Sequence, residues 1–371
     1  MDSNDRMYSR NRLLEAAGVF RNLSDTYVEL AGEIASFPAA TNAIVLQLNE
    51  MAEILDGYTG LHCREMDMKN EKAAITKGLR QRGIKTENID IYECGKKGLE
   101  INIHIKNTKN RCIMSKELAG VISEATGRNF ISDGNNRMMV GKDSCSYIYV
   151  EGGRYKPIFA MTKCNKNGNE VSGDNFSVEE INGNKTVVTL VDGMGAGKRA
   201  NKDSRMVIEL IERSLESGFS ENAAIKLINS AFSINDIKGI PVALDMCVLD
   251  TYSGMCSLIK LGAAATFIMR EGSVDIVQGN SLPLGVLDKV DFQHITKKIH
   301  GNDYIVMVSD GVIEALPFLD KEQAFAEILS EIKSRKPDNM VREMMECVKE
   351  FSGEYPKDDM TIIVVGMFEI A

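Results

Sequence analysis

Four acidic sites stand where apolar strands begin or end. They are Ser172-Gly173-Asp174, Leu190-Val191-Asp192-Gly193, Val308-Ser309-Asp310-Gly311, and Lys357-Asp358-Asp359-Met360-Thr361. The last stands just before the run Ile362-Ile363-Val364-Val365. A carboxylate at the end of a buried strand is costly to desolvate unless something compensates it. Several that converge repel one another, and bound divalent cations remove that repulsion. Oxygen donors with no His or Cys cluster beside them suit magnesium or manganese rather than zinc or copper. The chemistry such a centre serves is metal-assisted hydrolysis. Gly193 and Gly311 fit the same account. Glycine lets backbone approach closely, so an Asp-Gly pair can present a side-chain and a main-chain oxygen to one site. One Asp-Gly pair is an ordinary turn. Two at the ends of hydrophobic strands, with an Asp-Asp pair heading a third, favour the metal reading.

Rival chemistries fare worse. Gly193-x-Gly195-x-Gly197-Lys198 follows a strand and opens a helix, as a phosphate-cradling loop would. The Walker pattern needs four residues between its glycines and Ser or Thr after Lys, whereas Arg199 follows here. The Rossmann spacing fails at Lys198. No Gly-x-Ser-x-Gly elbow is present, and four scattered histidines (His62, His104, His294, His300) give a Ser-His-Asp triad little support. The eight cysteines include no Cys-x-x-Cys pair and no zinc spacing with those histidines. His62-Cys63 is adjacent but has no visible partner pair. Cys247 and Cys256 read as core, and the thiols are expected to be reduced and packed.

The elements that must position the acids lie in the second part of the chain. Strands are expected at 147–150, 158–162, 187–191, 243–250, 256–261, 265–269, 304–308 and 361–368. Helical patterns occupy about 198–217, 221–233 and 321–351. Strands before, between and after paired helices predict a layered α/β domain from about 150 to 371.

The first part carries no set of acid, base and nucleophile. Leu13, Ala16, Phe20, Leu23, Tyr27, Leu30 and Ile34 recur at alternating spacings of three and four, a heptad seam. Pro38 interrupts, and Ile44, Leu48, Met51 and Leu55 mark one face of a second helix that Gly57 and Gly60 end. Two outcomes are open: a helical hairpin packed on its own domain, or a surface for self-association. Residues 68–82 read as a helix ended by Gly83. Residues 89–91 and 99–105 alternate with period two around Gly95 and Gly98, which predicts a hairpin. A helix follows over 115–125, with Gly127 as its stop.

Composition narrows the partners. The chain has 371 residues, with 44 Lys and Arg against 53 Asp and Glu, a net charge of −9. That balance argues against nucleic-acid binding, which wants a basic footprint. No apolar run approaches the length of a membrane span. The first residues lack the basic and apolar regions of a signal peptide. A cytoplasmic location is expected.

The acidic motifs together resemble those of the metal-dependent Ser/Thr protein phosphatases, the PPM or type 2C class. Val171-Ser172-Gly173-Asp174, Leu258-Ile259-Lys260-Leu261-Gly262-Ala263 and Asn280-Ser281-Leu282-Pro283-Leu284-Gly285 narrow the resemblance to the stage II sporulation protein E family. It is strong over about 155–371 and less specific upstream, where Arg10-Asn11-Arg12-Leu13 leads into the first part. The resemblance implies an α+β fold: a four-layer α-β-β-α sandwich of antiparallel sheets flanked by helices. A helical arm (1–60, dimerisation or linker helices) and a small α/β regulatory module (61–150) precede the phosphatase domain (151–371). It implies Mn2+ or Mg2+, two ions, held by Asp174, Asp192, Gly193 through its carbonyl, Asp310, Asp358 and Asp359. Among these, Asp174, Asp192, Asp310 and Asp358 are the catalytic set. It implies hydrolysis of phosphoserine on a phosphorylated anti-sigma factor antagonist, which activates a sporulation sigma factor, and a homodimer formed through the N-terminal helices. The alternative is a catalytically silent scaffold of the same fold that binds a phosphoprotein. Three departures stand out. Met194 replaces the usual His after Asp-Gly. No Arg precedes Asp174 where many members contact phosphate. The family's N-terminal membrane region is missing, so the chain is expected to be a fragment or a soluble relative.

Overall fold

The computed structural model describes residues 13, 16–26, 28, 38–59, 64–94, 98–109, 112–133, 136–166, 171–181, 184–193, 195, 197–217, 219–234, 241–287, 292, 294–352 and 356–370. Tyr27, Leu30 and Ile34 of the expected seam, His62-Cys63, and Met194 lie outside the described residues.

Residues 16–26 are helical, and α1 (Pro38–Thr59) follows. Ala17 and Ser24 are the buried residues of the first helix, and the Ser24 hydroxyl donates to the Val45 carbonyl of α1. Small residues thus make the close approach, while Leu23 of the expected seam is exposed. Pro38 opens α1 rather than breaking it, because a helix's first N–H needs no internal partner.

A five-stranded sheet comes next, built from β1 (Arg64–Glu65), β2 (Ile84–Glu93), β3 (Leu99–Asn107), β4 (Phe130–Ser132) and β5 (Cys145–Glu151) in the order β1-β2-β3-β5-β4. Alternate residues of β3 point to the core: Ile101, Ile103 and Ile105 are buried. They join Ile75 and Leu79 of α2 (Lys69–Gln81) and Leu118 and Ile122 of α3 (Ser115–Thr126) in one cluster. His104 lies on the polar face beside Glu87. Cys94, at the end of β2, is disulfide-bonded, contrary to the expectation of reduced thiols throughout.

The remaining strands form two antiparallel sheets packed face to face. One runs β13 (His294–Lys298), β10 (Met255–Leu261), β9 (Val242–Asp250), β8 (Lys185–Gly193), β7 (Asn175–Ile181). The other runs β12 (Ser273–Val277), β11 (Thr266–Arg270), β14 (Tyr304–Val308), β15 (Met360–Glu369), β6 (Tyr155–Cys164). Between them lie Val188, Cys247, Leu258, Ile268, Ile305 and Ile363. Cys247 and Cys256 are buried there as free thiols, as their apolar setting predicts. Helices α4 (Lys198–Glu216) and α5 (Glu221–Ile234) cover the first sheet through Val207, Ile211, Ala224 and Ile228. Helices α7 (Lys321–Glu331) and α8 (Pro337–Ser352) cover the second through Phe325, Leu329, Met344 and Val348, and a short α6 (Asp310–Glu314) follows β14. The result is the α-β-β-α sandwich that the resemblance implies.

Two expectations differ in detail. The helix over 321–351 is two helices, because Pro337 removes a donor and pushes the residue before it out of helical geometry. Strands β7, β12 and β13 escaped notice because each is an outermost strand, only half covered, and so carries a weaker apolar pattern. Helix α1 packs on α5, where the Ser220 hydroxyl donates to Glu50 at 3.2 Å. Among the described residues no helix is long and apolar enough to cross a membrane.

Candidate metal centre

All four acidic motifs come to one rim of the sandwich. Strand β7 begins where β8 ends, with Asn175 opposite Val191, so Asp174 and Asp192 are neighbours. Likewise β15 begins where β14 ends, with Val308 opposite Ile362, which brings Asp310 beside Asp358 and Asp359. The two sheets meet here through a 2.6 Å hydrogen bond from the Thr361 hydroxyl to Asp174 Oδ2.

The local backbone needs its glycines. A Cβ on Gly193 would stand 2.5 Å from the Ala200 carbonyl oxygen, and one on Gly311 would stand 2.2 Å from that of Asp359. Helix α4 and the Asp358-Asp359 turn therefore close on the Asp-Gly corners directly. Helix α4 also holds the turn carrying Asp174: Asn201 donates to the Ser172 carbonyl and Ser204 to that of Gly173. Ser309 ties the other sheet's corner, since its hydroxyl accepts the Thr361 N–H at 2.9 Å.

Asp192 lies within hydrogen-bonding reach of both Asp174 and Asp310. Burial, then the charges of Asp174 and Asp310, push its carboxyl up to about 10. Burial raises Asp174 to about 6, with the Thr361 and Ser309 hydroxyls opposing and the Asp359 charge adding to it. Asp174 Oδ1 is buried with no partner. Three carboxyl groups thus converge with an orphaned oxygen among them, an arrangement suited to a hard divalent cation. Among the described residues, no three His, Cys, Asp or Glu side chains are drawn together closely enough to hold a metal ion as they stand. Asp358 is turned outward: its Oδ1 accepts the Asp359 N–H at 2.9 Å and lies 3.6 Å from Lys166 Nζ.

Asp359 is placed differently from the other four. Its Oδ1 accepts the Lys166 N–H and its Oδ2 the Gly173 N–H, each at 2.7 Å. Both oxygens hold backbone, one at Lys166 and the other at Gly173. Sequence reasoning also passed over Thr361, Ser309, Lys163 and Lys166. Thr361 and Ser309 lie inside the motifs, and their hydroxyls were the available signal. Lys163 donates to the Asp174 carbonyl at 2.7 Å and lies over the Phe176 ring.

A second buried polar group borders the same cleft. Asp245 lines it with Asp192, Ser309, Asp310 and the Gly262–Ala264 turn. Its Oδ2 accepts from Lys260 Nζ and from the Thr266 hydroxyl, both at 2.6 Å. Asp245 in β9 stands directly opposite Lys260 in β10, an alignment that spacing along the chain does not show.

A rim of acids on a four-layer α-β-β-α sandwich is the architecture of PP2C-type phosphatase domains. The chain matches the stage II sporulation protein E family over residues 182–368, half its length, and it belongs to that family. It is 25% identical over 335 residues to stage II sporulation protein E of Priestia megaterium, covering 90% of this chain and 57% of that protein. The same protein of Bacillus subtilis (strain 168) is 27% identical over 332 residues, covering 86% and 39%. The chain thus spans about half the length of these curated relatives. Among solved structures, the PP2C phosphatase domain with a fragment of the regulatory domain of Bacillus subtilis SpoIIE superposes with a TM-score of 0.66 at 23% identity, covering 92% of this chain and 98% of that one. The phosphatase domain of SpoIIE in a crystal form without domain swapping gives 0.50 at 29% identity, covering 60% and 96%.

Proposed function

We propose that this chain is a metal-dependent protein serine/threonine phosphatase. It hydrolyses phosphoserine on a phosphorylated anti-sigma factor antagonist in the cytoplasm and so promotes sigma factor activation in sporulation. Family membership supports the reaction class. The observation that carries it is the convergence of Asp174, Asp192 and Asp310 with the orphaned Oδ1 of Asp174 among them.

Two divalent ions, Mn2+ or Mg2+, would be held by Asp192, the Gly193 carbonyl, Asp310 and Asp358, with Asp174 completing the set. Such ions supply Lewis-acid activation of water and neutralise charge on a phosphoryl group. The chain's own part is positional. Thr361 orients Asp174, Ser309 fixes the corner before Asp310, and Asp359 holds the backbone of Lys166 and of Gly173 beside Asp174. Asp359 supports the ligands in this reading and is not one of them.

The test is phosphate release from a phosphoserine peptide with manganese, with chelator, and for Asp192→Asn and Asp310→Asn. We expect loss of at least a hundredfold in each variant and in chelator. Full activity in chelator, or in both variants, overturns the reading. A silent scaffold would show no manganese heat by calorimetry. We also propose a homodimer through the N-terminal helices, supported by the exposed apolar residues Val19, Leu23 and Val28 of the first helix and Ile44 and Met51 of α1. A monomeric mass by light scattering would overturn that.

A further inference from the structure

The candidate centre is short of positive charge. Two divalent ions would do no more than balance Asp174, Asp192, Asp310 and Asp358. A phosphate monoester adds further negative charge, and burying it calls for a cation from the chain.

Among the described residues, two lysines have their ammonium groups against these motifs. Lys163 is already committed. It is largely buried, its Nζ donates to the Asp174 carbonyl at 2.7 Å, and the Phe176 ring lies 5.4 Å away. Turning outward would break that bond. Lys166 is different. Its Nζ stands 3.6 Å from Asp358 Oδ1, too long for a tight hydrogen bond, and its side chain is 32% exposed. Its backbone is nevertheless fixed, because its N–H donates to Asp359 Oδ1 at 2.7 Å. Asp359 uses its other oxygen on the Gly173 N–H, next to Asp174. Lys198 and Arg199 open α4 as exposed residues and make no ion pair with the acidic motifs among the described residues.

We infer that Lys166 is the phosphate-contacting residue of this site, its head group reaching the phosphoryl oxygens of the substrate from the rim beside Asp358. The inference rests on the phosphatase reading and gives it a residue for binding substrate. Asp359 acquires a role as well. It is a positioning residue that anchors the base of Lys166 and the turn of Asp174 with one carboxylate. The flexible four-carbon stem suits a cation that must reach a substrate and then release it.

The test compares Lys166→Met and Lys166→Arg with the unaltered chain. Binding of inorganic phosphate to the magnesium-loaded protein is measured by calorimetry, and kcat and KM are measured on a phosphoserine peptide. Manganese affinity and melting temperature are recorded for each. A lost charge-assisted hydrogen bond predicts phosphate binding weaker, and KM higher, by roughly tenfold or more in Lys166→Met. Manganese affinity and melting temperature stay the same, and Lys166→Arg recovers most of the loss. Unchanged phosphate binding in Lys166→Met, with hydrolysis intact in the parent, overturns the inference and leaves the phosphatase reading standing. A parallel fall in manganese affinity also overturns it, since Lys166 would then only hold Asp358. If the parent hydrolyses nothing yet binds phosphate through Lys166, the inference stands and the proposed function falls.

Discussion

Two carboxyl groups, Asp245 fully buried and Asp192 half-buried, lie on one face of adjacent strands and meet opposite fates. Asp192 of β8 is opposite Ala243, and Asp245 of β9 is opposite Leu190, one step further along the same face. Asp245 is 1% exposed and receives Lys260 and Thr266 on one oxygen, with Lys260 also donating to the Ala264 carbonyl. The chain has supplied its own cation. At Asp192 burial is joined by the charges of Asp174 and Asp310, both acidic, and the carboxyl is driven far from its ordinary range. Where a buried carboxylate serves architecture, here joining β9 and β10 to β11 of the other sheet, its charge is cancelled from within. At the rim the cancellation is left to something the chain does not contain. Under the proposed function, the difference separates a structural acid from a functional one.

The largest test of that contrast is Lys260→Met. It leaves Asp245 buried beside Thr266 without its cation, and removing one partner of a buried pair costs about 3–5 kcal/mol. The loss should appear as a lower denaturant midpoint, the same with and without manganese. Adding Asp245→Asn should recover most of it, because the stranded charge goes too. A double variant as unstable as the single one would break the comparison, since the lysine would then matter through packing alone.

The same physics decides what the sequence could disclose. The strand-end acids were legible because desolvated carboxylates next to apolar runs are anomalous: Val187, Val188, Leu190 and Val191 precede Asp192, and Tyr304 to Val308 precede Asp310. The four-layer class was legible through the resemblance and the central strands. Three of the edge strands were not, because β7, β12 and β13 carry too many polar residues to stand out, whereas β6 did. Asp359 illustrates a harder limit. Adjacent aspartates have the same chemistry, and only the register of β15 and the placement of the Lys166 and Gly173 N–H groups tell which one has its oxygens filled by backbone. The Lys260–Asp245 pairing likewise needs the alignment of β9 with β10, which no spacing along the chain reveals.

A smaller effect of opposite sign sharpens the contrast from the other side. Asp192→Asn removes a carboxyl that burial and two acidic neighbours disfavour, so the metal-free protein should become more stable, by about 0.5–2 kcal/mol. The sign follows from linkage. A carboxyl whose folded value is raised from 3.8 to about 10 lends stability that is complete below the unfolded value and lost as pH climbs between the two. The gain in the variant should therefore be larger at pH 8 than at pH 5, as read from chelator-treated denaturation curves. Manganese should raise the melting temperature of the parent and leave that of the variant nearly unmoved, because ligand stabilisation requires binding to the folded state. If Asp192→Asn instead destabilises the metal-free fold as Lys260→Met does, the rim carboxylate is as structural as Asp245, and its acidic neighbours are paired with the chain rather than waiting for a cation.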